Sequence, residues 1–144
     1  MHQQGFDRLA QGKAARFIGD PDLPHSYTYA PDASRALVRL ACDAAASGQV
    51  WHLPTANPAP SSRALLEQAA RLLGASTAVS VMPMPLFHLA KLFVPVLREV
   101  SEMLYQQTAP YVFSSAKFER AYPDFAVTPY AAGIEATVRA LRQR

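Results

Sequence analysis

The sequence predicts an α/β or α+β fold, on three observations. Short β-prone runs such as Arg16-Phe17-Ile18 and Tyr111-Val112-Phe113 alternate with longer stretches whose apolar residues recur at helical spacing. Prolines fall at the borders of these stretches, with Pro95 the exception. Alanine is abundant, which favours helix in the longer stretches.

A chain of 144 residues is one domain by default. At that size it buries about 70% of the surface its unfolded form exposes, enough for a real core. The net charge is +3, from 14 basic and 11 acidic residues, and the basic residues form no run. Arg139, Arg142 and Arg144 come nearest to a cluster, and they read as cations favoured at a helix C-terminus. A nucleic-acid partner would need a basic stripe, which this pattern lacks. The single cysteine, Cys42, excludes an internal disulfide and fits a reducing, cytoplasmic setting. It reads as a small buried hydrophobe in an apolar helical stretch. No apolar run reaches the roughly 18 residues of a membrane span, so no membrane partner is expected.

Taken in order, residues 5–12 predict a short helix ending at Gly12, and residues 16–18 a short strand. Pro21 and Pro24 mark a turn, with Asp20 and Asp22 as turn residues. Ser26 to Ala30 alternates as a half-buried strand. Asp32 has the chemistry of an N-cap for a helix running to about Ala46, its apolar face including Ala36, Leu37 and Leu40. Gln49 to Leu53 predicts a short strand between Gly48 and Pro54, with Trp51 in the core. After a proline-rich loop, Ser61 or Ser62 caps a helix that Gly74 stops. Ala78 to Met82 predicts a strand. A long helix follows from about Leu86 to Gln106, its stripe running from Leu86 through Phe93, Val96 and Val100 to Leu104. Pro95 must kink or split it, because proline removes one backbone bond and clashes with the preceding turn. Met82, Met84 and Met103 read as gap-filling core or pocket wall. Tyr111 to Phe113 predicts a strand and Ser115 to Ala121 a helix. Thr128-Pro129 opens the last helix.

The ordered set Tyr27-Thr28-Tyr29-Ala30-Pro31-Asp32, Gln49-Val50-Trp51-His52-Leu53-Pro54, Ser61 to Leu66, Val112 to Phe118 and Thr128 to Ile134 resembles the C-terminal part of an NAD-dependent epimerase/dehydratase, of the extended short-chain dehydrogenase/reductase family. The resemblance covers residues 5–141. It implies the substrate-side portion of a Rossmann-like fold, helix-rich with short strands, whose 49–53 strand adds to the nucleotide-binding sheet. Two family motifs are missing. None of the glycine spacings gives the rich turn that holds a dinucleotide pyrophosphate. No tyrosine has a lysine four residues on, the pair that moves the proton beside hydride transfer. Phe113 precedes Lys117 by four, but a phenyl ring has no proton to give.

The resemblance therefore implies one domain over residues 1–144, with the N-terminal nucleotide-binding half absent and no catalysis by this chain alone. It implies no cofactor here, and NAD(P) once such a half completes it. The expected partners are a small-molecule substrate, that half, or a second copy through an exposed strand edge. The alternative function is a small-molecule-binding or interaction module without oxidoreductase chemistry. His25, Tyr27, Arg98 and Tyr105 are the candidate substrate-lining residues. Two of them have plainer readings. His25 also serves as a turn histidine bonded to nearby backbone, and Arg98 also pairs with Glu102 one helical turn on.

Overall fold

The computed structural model describes residues 2–75 and 79–143. Helix α1 (His2–Ala10) leads through Gly12 into β1 (Ala15–Ile18). A long excursion carries α2 (Ala30–Ala41), a 3-10 turn at Ala44–Ala46 and α3 (Ser62–Leu73) before β2 (Val79–Met82). β1 and β2 pair in parallel, Ala15 opposite Val79 and Ile18 opposite Met82. Parallel neighbours need a long crossover, and the excursion through α2 and α3 supplies it. The rest is helical: α4 (Met84–Phe93), α5 (Pro95–Glu102), the short α6 (Tyr105–Thr108), α7 (Ala116–Ala121) and α8 (Tyr130–Arg142). No helix among the described residues is long and apolar enough to cross a membrane.

The main core joins α1, α3 and α8. Phe6 and Leu9 meet Leu65, Leu66, Ala69 and Ala70, and Ile134 and Val138 close the cluster. Local chemistry fixes α3 at both ends. The Ser61 hydroxyl accepts the Ala64 N–H at 3.2 Å. Gly74 takes the left-handed conformation, φ +66°, and its N–H returns to the last-turn carbonyls. At the far end of the chain, the Arg142 guanidinium donates to the Leu72 carbonyl and ties α8 to α3.

A second, aromatic cluster holds α2 and α7 together. Phe118 and Tyr122 lie 4.8 Å apart between ring centres, and Phe125 meets Phe118 edge-on at 5.2 Å. Ala36 is fully buried there, and Leu40, Trp51 and Leu53 pack against the cluster.

Several expectations are corrected. The segment Ser26–Ala30 is not a strand. The pairing nearby is confined to single bridges just before it, Pro24 with Ser61 and His25 with Tyr111, and the expected strand at 111–113 shrinks to the second of these. Pro24, itself a bridge partner, and Pro60 and Pro110 beside the bridges lack the N–H groups a ladder needs. Helix α2 starts at Ala30 and ends at Ala41, so Asp32 lies inside its first turn instead of capping it. Its inward stripe is Asp32, Ala36 and Leu40, which leaves Leu37 56% exposed and Cys42 exposed rather than buried. The 49–53 segment is extended but carries no assigned strand. The long helix is three, α4 and α5 broken at Val94 as Pro95 requires, and α6 set off by a turn at residues 103–104. Much of its expected stripe faces outward: Leu86, Leu89, Leu92, Phe93 and Met103 are exposed, while Phe87 and Leu104 are buried. Ala78 and the side chains of Val96 and Val100 lie outside the described residues.

Truncating the core and truncating the exposed α2 face should differ sharply. Leu66→Ala is expected to cost about 2–5 kcal/mol, because it empties a fully packed site. Leu37→Ala is expected to stay within about 0.5 kcal/mol. Urea unfolding followed by circular dichroism measures both.

Candidate functional site: the groove between residues 26–32 and the last helix

An open groove of about 730 Å³ lies beside the start of α8. Residues 26–29, extended, and the first turn of α2 form one wall, and the start of α8 the other. Thr55 lines it from the proline-rich loop, and Leu65 and Ile134 lie at its base.

The groove owes its shape to a buried carboxylate. Asp32 is 1% exposed. It accepts the Thr128 backbone N–H at 2.7 Å, the Thr128 hydroxyl at 2.9 Å and the Arg35 guanidinium at 2.5 Å. Arg35 continues to the Ala126 carbonyl at 2.9 Å and lies 4.8 Å from the centre of the Phe125 ring. The first turn of α2 thus grips the segment that enters α8. Burial alone would push the Asp32 carboxyl up. The bonds from the Thr128 amide, Arg35 and the Thr128 hydroxyl outweigh it and hold the group below its ordinary value.

Three tyrosines line the groove. The Tyr27 hydroxyl meets the buried Ser62 hydroxyl at 2.6 Å. Burial raises the Tyr27 phenol above its usual value, against the lowering effect of Ser62. The Tyr130 hydroxyl accepts the Tyr27 backbone N–H at 3.3 Å, which ties the wall to α8. Burial also raises the Tyr130 phenol. Tyr29 packs against Gly133, where an added Cβ would sit 3.3 Å from the ring. Glycine at that position lets the wall approach the helix.

The four candidates from the sequence are not gathered in one cavity. Only Tyr27 lines the groove. His25 is buried and stacks beside Tyr27, ring centres 6.0 Å apart. Its two ring nitrogens face backbone carbonyls, Leu23 at 3.3 Å and Gln106 at 2.5 Å, so it fastens the bridge region to α6. Tyr105 is 63% exposed, and its hydroxyl accepts from the Gln106 side chain. Arg98 donates to the Lys91 and Leu92 carbonyls instead of pairing with Glu102. The break at Val94 frees those last-turn acceptors, and a charged donor satisfies them. Asp20 and Asp22 do turn work: the Asp22 N–H bonds the Asp20 carboxylate at 2.9 Å, and Asp22 pairs with Arg63 at 2.6 Å. No group of three or more metal-ligating side chains comes together among the described residues.

Sequence reasoning missed the partners that matter most here. Thr128 looked like a cap for its own helix, and its hydroxyl goes instead to a carboxylate 96 residues earlier. Thr55, inside a loop of prolines, gave no signal. No family model matches the chain, and the searches of curated proteins and of solved structures found no match either.

Removing the Asp32 charge should loosen the groove. Asp32→Asn is expected to cost about 1.5–3 kcal/mol at neutral pH, the scale of hydrogen bonds to a charged group. The folded carboxyl titrates below the unfolded value of about 3.9. Its contribution is therefore complete above that value and is lost as pH falls through the lower, folded one. Urea unfolding at pH 7 and pH 3 should show the gap between parent and variant narrowing in acid.

Proposed function

We propose that this chain is the substrate-side portion of an NAD(P)-dependent epimerase/dehydratase-like oxidoreductase, completed by a nucleotide-binding half and not catalytic alone. The observation that carries the reading is the state of residues 49–53 and of α2. Trp51 and Leu53 pack inward on the aromatic cluster, while Val50 before them, 84% exposed, and His52 between them face outward. That alternation is a strand's, yet the segment has no neighbouring strand among the described residues. On α2, just before it in the chain, Leu37 and Val38 are 56% and 65% exposed. A helix followed by an extended segment, each with an apolar side turned outward, fits the margin of a larger α/β sheet.

The residues of this chain do not fit a dinucleotide. β1 is followed by Gly19, Asp20 and Pro21 rather than by a glycine-rich turn opening a helix. The groove carries no cation for a pyrophosphate. NAD(P) would be held by the completing half.

Titrating the chain with NADH and following nucleotide fluorescence tests the proposal. No saturable binding is expected, and tight, stoichiometric binding would overturn the assignment of the cofactor to another half. The same exposed margin supports a second reading, an interaction module that pairs through 49–53. Exposed strand edges recruit other chains. Light scattering at high concentration should then show self-association that Val50→Lys reduces, whereas a parent chain that stays monomeric counts against it.

A further inference from the structure

We propose that the groove between residues 26–32 and α8 is a binding site, complete within this chain, for a neutral and largely apolar small molecule bearing a carbonyl or hydroxyl group. The site stands apart from the oxidoreductase reading, because every residue that builds it belongs to the chain itself.

Its size comes first. About 730 Å³ lies in the range of small-molecule sites. The lining sets the chemistry. Leu65 and Ile134 make an apolar base, and the rings of Tyr27, Tyr29 and Tyr130 form the sides. None of the lining residues is lysine, arginine or histidine, so nothing there would compensate a phosphate or carboxylate. The one charged lining residue, Asp32, already accepts from Thr128 twice and from Arg35. It has no call for a cationic ligand.

The second observation is Thr55. It lines the groove, and it is 4% exposed. Among the described residues its hydroxyl makes no hydrogen bond. Buried hydroxyls are normally paired, and leaving one unpaired costs about 1–3 kcal/mol. A buried, unspent donor and acceptor on the wall of an apolar, ring-lined groove matches a ligand with one polar group. A carbonyl would accept from it, and a hydroxyl would either donate or accept.

Prodan, a neutral naphthyl ketone whose emission rises in apolar surroundings, is the probe. It should bind the chain alone saturably. Ala136→Phe, which adds a ring on the α8 wall, should weaken binding at least about tenfold. Thr55→Val keeps the shape and removes the hydroxyl. It should weaken binding about 3- to 10-fold, the scale of one hydrogen bond, while the melting temperature holds or rises. A merely structural Thr55 would give the reverse pattern, a lower melting temperature with binding unchanged. UDP-glucose, a dianionic competitor, should not displace the probe. Absence of saturation, equal affinity in Ala136→Phe, or displacement by UDP-glucose would each overturn the proposal. Should Ala136→Phe lose its fold by circular dichroism, Thr55→Val decides.

Discussion

The carboxylate of Asp32, buried in the first turn of α2, accepts two bonds from Thr128 and one from Arg35, and the arrangement around the groove follows from that. A buried charge is tolerable only when its lone pairs are occupied, and here donors from a distant part of the chain occupy them. Satisfying that charge places the entry to α8 beside α2. Once α8 is fixed there, Tyr130 reaches the backbone of Tyr27, and Gly133 gives room to Tyr29. The wall formed by residues 26–32 is therefore held at both ends by polar contacts, even though it joins no sheet. The same helix carries Ile134 and Val138 into the main core, so one electrostatic contact and one apolar cluster agree on where α8 lies.

What the sequence disclosed follows the range of the interactions concerned. The ends of α3 were readable because Ser61 and Gly74 act on backbone groups within a few residues. The break near Pro95 was readable because proline's missing N–H is a property of one residue. The parallel pair was half readable: both runs showed as strands, while their register depends on a crossover too long for local pattern. Tyr27 and Tyr29 alternate like a strand, but the proline-flanked segments beside them offer single bridges, and tertiary context overrode the pattern. At the candidate site the limit is sharper. Tyr27 was named from its neighbourhood in sequence, whereas Thr55 and Thr128 acquire their significance only when the chain brings α2, the proline-rich loop and α8 together. Arg98 was drawn toward helix-end carbonyls that exist as free acceptors only because α4 stops at Phe93.

The two functional proposals occupy different faces of the chain's chemistry. The exposed apolar residues of α2 and the extended segment 49–53 concern what the chain attaches to. The groove concerns what the chain holds. They share a neighbour in Ala36 and Asp32, one turn apart on the same helix: the first anchors the aromatic cluster beneath 49–53, the second anchors the groove. Displacing α2 would therefore be felt on both sides.

Trp51 is the only tryptophan in the chain, and it stands in the extended segment at the apolar margin. Its indole N–H bonds the Ala46 carbonyl at 3.1 Å, and the Lys117 ammonium sits 4.1 Å from its ring centre while bonding the Val50 carbonyl. A cation over the indole face and a backbone contact on the adjoining residue make the emission of this one chromophore sensitive to whatever pairs with residues 49–53. The chain carries its own optical gauge at the margin where a partner would arrive, and needs no added label to be watched there.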